Sequence, residues 1–142
     1  MPAARDLLIN DYFRVLAEDD TRTVRLVRTA MPFPSNEVIE QTFATLEGAT
    51  ASVPAGWALL IDSREGPLRN DPHFERVLAR VRGQIFGRFR GVAVLVRSAV
   101  GKLQVARYAR EDHTETRIFD DEGVARAYLA ARLARPTKPP SR

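Results

Sequence analysis

The chain has 142 residues, 44% of them hydrophobic and 28% charged, a length that suits one domain with its own core. No apolar run approaches the roughly 18 residues of a membrane-spanning helix, and the lack of cysteine excludes disulfides and thiolate chemistry. The net charge of +4 carries no argument for nucleic acid, because Arg132, Arg135, Lys138 and Arg142 fall in the last eleven residues and the remainder sums to zero.

The start, MPAARDLLIND, lacks the basic segment and long apolar stretch of a secretory signal, so a cytoplasmic location is expected. Residues 1–9 read as an extension ahead of the domain. Tyr12 to Leu16 and Thr23 to Arg28 are short strand-like runs joined by the polar turn EDDTR, which predicts an antiparallel hairpin. Pro32 and Pro34 then break the chain, and Ser35 can cap a helix carrying Val38, Ile39, Thr42, Phe43 and Leu46 at helical spacing.

Trp57 to Ile61 is a continuous apolar run of strand length, as expected for a strand covered on both faces. After it comes DSREGPLRND, a charged loop. Asn70 or Asp71 can cap a helix with Pro72 at its first position, and Phe74, Val77, Leu78, Val81 and Ile85 form a clear apolar stripe. Val92 to Val96 is a second apolar strand. The stretch from Val100 to Arg110 fits either period, and helix is favoured because a parallel crossover needs such length. Thr116 to Phe119 is a short strand. Asp120 can cap a last helix whose inward face would be Val124, Ala127, Tyr128 and Ala131. The Pro-rich basic end, residues 134–142, reads as a disordered, polyproline-like tail.

This order predicts a single α/β domain over residues 10–133. Its mixed, mostly parallel sheet has about five strands in ββαβαβαβα order, with packed helices.

Chemistry at the DSREG loop is not supported by its surroundings. A nucleophile at Ser63 would need an oriented base, but the two histidines, His73 and His113, fall in no nucleophile motif and there is no G-x-S-x-G elbow. Two histidines without cysteine or an H-E-x-x-H spacing make a poor metal site. The glycines of RGQIFGRFRG end a helix rather than open one, so the geometry of a phosphate cradle is absent. Phe86 and Phe89 within FGRFRG are placed for core packing, not for the exposed rings of an RNA platform. Neither an enzyme, a cofactor, a metal nor a nucleic acid is expected. Between Glu75 and Glu111 nine basic residues, starting with Arg76 and Arg80, occur without an acid, which reads as a solvated surface or as a docking face for an anionic partner.

Two stretches resemble a known family. An apolar strand ending in Asp62-Ser63 before the Pro72 helix, and the close Arg117-Ile118-Phe119-Asp120-Asp121-Glu122 followed by Ala127-Tyr128-Leu129, are similar to STAS domains. The likeness is to their SpoIIAA-like branch, which includes bacterial anti-sigma-factor antagonists and is similar in fold to CRAL-TRIO (SEC14-like) lipid carriers. The resemblance implies a regulatory, signalling module that binds another protein. In the family the strand ends in Asp-Ser, then a phosphorylated Ser or Thr, then Gly. Here Asp62 and Ser63 match, Arg64 stands at the acceptor position, Glu65 replaces the glycine, and Gly66 comes one place late, so the usual phosphoswitch is not expected.

The expected function is therefore a non-catalytic protein–protein interaction module, binding another protein, an acidic one, through Asp62, Ser63, Arg64, Glu65, Arg69, Arg76 and Arg80. A small apolar ligand of CRAL-TRIO type is the alternative, and a homodimer is left open.

Overall fold

A computed structural model describes residues 4–67, 71–97, 102, 103, 106, 107 and 116–135. Among these residues the sheet has six strands: β1 Ala4–Ile9, β2 Phe13–Glu18, β3 Thr23–Arg28, β4 Ala58–Asp62, β5 Gly91–Leu95 and β6 Thr116–Phe119. They lie side by side in chain order, antiparallel from β1 to β3 and parallel from β3 to β6. Three helices are complete, α1 Asn36–Thr50, α2 Pro72–Ile85 and α3 Glu122–Ala134, and a 3-10 turn over Phe86–Arg88 follows α2. No helix among the described residues is long and apolar enough to cross a membrane.

The α/β class and the mixed sheet agree with expectation, but the strand count and order do not. Residues 4–9 are not an extension ahead of the domain; they pair with β2 as an edge strand. The pairing register shifts between Asp6 and Leu8, an irregularity of the bulge type that suits an edge. The starts of α1 and α2 are as expected. Ser35 accepts from the Val38 N–H and Asp71 from the Phe74 N–H, with Pro72 opening α2, so helix starts are fixed by side chains that satisfy free backbone donors. Lys102, Leu103, Ala106 and Arg107 are helical, in line with the helix reading; the rest of 98–115 lies outside the described residues, as do Arg69 and the tail from Pro136.

Alternation along the strands builds two cores. Phe13, Val15, Val24, Leu26 and Leu59 face one way and pack with Ile39, Phe43 and Leu46 of α1 and Val77, Val81 and Ile85 of α2. Ala58, Leu60, Ala93 and Leu95 face the other way, against Ala125 and Leu129 of α3. This explains why β4 and β5 are apolar throughout: both faces are covered. Helix α3 comes close at Gly91, where a Cβ would meet the Arg132 side chain at 3.1 Å.

The inward face of α3 differs from expectation. Asp121, not Asp120, caps the helix by accepting from the Val124 N–H. Ala125 and Leu129 are buried, whereas Val124 is 55% exposed. Arg82, part of the acid-free stretch, is likewise not on the surface but buried within α2. Phe86 and Phe89 pack against the core as expected.

Candidate functional site

Asp62 is the last residue of β4, at the C-terminal edge of the parallel strands, and it is 7% exposed. Its side chain shares a face with Ala58 and Leu60, so it lies on the side that α3 covers. A buried carboxylate needs partners. Arg64 supplies them twice, through Nε to Oδ1 at 2.9 Å and Nη2 to Oδ2 at 2.8 Å, and its backbone N–H donates to Oδ1 at 3.2 Å. Arg25 of β3 adds Nη2 to Oδ2 at 2.9 Å.

The pairing continues across to α3. Arg25 and Arg64 both reach Glu122 Oε1, at 3.0 and 3.3 Å. Glu122 Oε2 accepts from Arg126 Nε at 3.0 Å, and Arg126 grips Glu18 of β2 with Nη1 and Nη2 at 2.8 and 3.0 Å. Three carboxylates and three guanidiniums thus form one neutral chain tying β2, β3, β4, the loop after β4 and α3 together. Each pair is charge-assisted, and two are bidentate.

The electrostatics follow from these contacts. The hydrogen bonds from Arg64 hold the Asp62 carboxyl below its ordinary range against the opposing effect of burial. Arg25 does the same for Glu122, and Arg126 for Glu18. The guanidiniums of Arg64 and Arg126 are correspondingly more firmly protonated, chiefly through Asp62 and Glu18.

Of the residues singled out in the sequence, Asp62 and Arg64 are brought together, Asp62 buried and Arg64 partly exposed above it. Ser63 donates its backbone N–H to the Leu95 carbonyl, and Gly66 closes a turn onto the Ser63 carbonyl. Glu65 forms an exposed pair with Arg97 at 3.4 Å. Arg69 lies outside the described residues. Arg76 and Arg80 are exposed on α2, which packs against the opposite face of the sheet from α3, so Asp62 and Arg64 do not share a surface with them. Arg107 pairs with Glu75 and Lys102 with Asp120, and Arg88 donates to the carbonyls of Thr50 and Val53. The acid-free stretch is therefore not one continuous positive face: much of its charge is tied to the fold, and Arg76 and Arg80 stand out from it.

Sequence reasoning missed Arg25, which pairs with Asp62, and Glu122, Arg126 and Glu18, which carry the chain of ion pairs onward from it. A signal existed for Arg25, a cation set between Val24 and Leu26 in a strand, and hence on the opposite face from them. The Arg126–Glu18 contact spans 108 positions and leaves no local trace. Among the described residues, no group of histidines and carboxylates has the arrangement of a metal site. No protein-family model, curated protein or solved structure matches the chain.

Proposed function

We propose that this chain is a non-catalytic regulatory module that acts by binding an acidic protein partner, in the manner that its resemblance to the SpoIIAA-like branch of STAS domains implies, but without a phosphoswitch. The observation that carries this reading is the state of Arg64. At the position where the family has its phosphorylated hydroxyl, the guanidinium is engaged by Asp62 and Glu122 at once. An arginine at that position neither accepts a phosphoryl group nor leaves the loop free to respond to one. The charge repulsion that a phosphate would introduce beside Asp62 is replaced by permanent neutralisation.

The docking face in this reading is the outer side of α2. Arg76 and Arg80 lie one turn apart, both exposed, with no carboxylate partner among the described residues. Clustered like charge of this kind speeds encounter with an anionic surface.

The alternative, a carrier of a small apolar ligand between sheet and helices, is less well supported. Phe13, Phe33, Phe43 and Phe74 pack there with ring centroids 5.6 to 6.3 Å apart, and Trp57 belongs to the same core. Aromatic rings at these distances fill the space such a ligand would need.

Phosphopeptide mapping of the protein from its own host tests the reading. No phosphate on residues 62–66 is expected, and substantial occupancy at Ser63 would overturn the absence of a switch.

A further inference from the structure

Arg28 differs from the arginines around Asp62 in having no acid beside it among the described residues. It ends β3, at the C-terminal edge of the sheet where the antiparallel half meets the parallel half, the region in which open α/β sheets bind ligands. Its side chain shares a face with Phe13, opposite to the face of Asp62. One end of the guanidinium is fixed: Nη1 donates to the Thr29 carbonyl at 2.8 Å and to the Tyr12 carbonyl at 3.2 Å. The plane lies over the Phe33 ring, 4.3 Å from its centroid, with Phe13 at 5.6 Å.

The loop after β4 lies against the same side chain. A Cβ on Gly66 would stand 2.7 Å from Arg28 Cγ, so only glycine lets this loop lie against the arginine stem. The Nε and Nη2 hydrogens have no protein acceptor among the described residues. This is the edge with which Arg64 grips Asp62. Burial also lowers the pKa of Arg28, to about 10, the direction expected of a cation drawn out of water.

We infer that Arg28 is the anchor of an oxyanion site, in which its open Nε/Nη2 edge takes the phosphate or carboxylate group of a small molecule between Phe33 and the Gly66 turn. The fork geometry matches two oxygens of such a group bidentately. The aromatic wall and the two backbone carbonyls hold the guanidinium plane before the ligand arrives, so little side-chain freedom is lost on binding.

The test is an NMR titration of the full chain with inorganic phosphate and, separately, with acetate, each against sodium chloride at equal ionic strength. Saturable movement of the Arg28 side-chain Nε–H and of the Ser63 to Gly66 amides is expected with phosphate, acetate or both, and not with chloride. Arg28→Lys, which keeps the charge and loses the fork, should weaken binding by roughly tenfold or more, and Arg76→Gln should leave it unchanged. No movement of the Arg28 resonance with either oxyanion, or equal movement with chloride, would overturn the site. The wild-type titration decides this even if a variant at Arg28 fails to fold.

Discussion

Arg64 closes on Asp62 two residues before it, matching both carboxylate oxygens at 2.9 and 2.8 Å, and the same guanidinium extends to Glu122 on α3. A local pair is thereby turned into a tertiary clasp. Because Asp62 is buried, removing Arg64 leaves its carboxylate with Arg25 as the remaining guanidinium partner and frees hydrogen-bonding capacity on Oδ1, so the cost is larger than the net worth of the pair.

Arg64→Ser, which restores a hydroxyl at the acceptor position, should therefore destabilise the fold by about 1–3 kcal/mol, with Arg64→Lys losing less. Denaturant unfolding measures this. Combining Arg64→Ser with Glu122→Gln should give less than the sum of the two losses, since both act on one network. Strict additivity would show that the clasp is not a unit.

Acid should dissolve the same clasp. Asp62, Glu122 and Glu18 all have folded pKa values below their unfolded ones. The stability they contribute is present above the ordinary carboxylate range of about 4 and is lost as pH falls through their lower folded values. The wild-type melting temperature should be flat near neutrality and drop below about pH 4. Asp62→Asn should start lower and fall less steeply, because one depressed carboxyl no longer takes up a proton.

The face of α3 can be checked by truncation. Leu129→Ala should cost about 2–5 kcal/mol, as for a fully buried leucine, whereas Val124→Ala should change stability by less than about 0.5 kcal/mol. Thermal or denaturant unfolding distinguishes them, and the reverse ranking would contradict the packing described.

These positions also show where the sequence was readable. The start and apolar face of α2 were legible, because a capping side chain at 70 or 71, Pro72 and a single apolar stripe agree, while the burial of Arg82 was not. In α3 the segment EGVARAYLAARLA carries alanine, valine or leucine on every side, so periodicity alone picks more than one stripe, and contact with Gly91 and Leu60 decides. Strand β1 escaped because ARDLLI puts two charges before three apolar residues. Its register irregularity and half-exposed edge position remove the alternation that marks a strand. Asp62 and Arg64 were visible as a candidate site, but their direction was not: the partners Arg25 and Glu122 come from two other elements, and long-range ion pairs have no sequence period.

The most direct test of the central proposal, a switchless module docking an acidic protein through α2, is quantitative affinity capture from host extract with the full chain as bait. Wild type, the double variant Arg76→Glu/Arg80→Glu, and a chain ending at Arg135 are compared at low and at physiological salt. Screening acts over about 8 Å at physiological ionic strength, so the account predicts an acidic protein that is enriched by wild type and by the shortened chain, weakened by salt, and lost on charge reversal while the double variant remains folded. Retention of the partner by the charge-reversed variant, with loss on removing the tail, would contradict it.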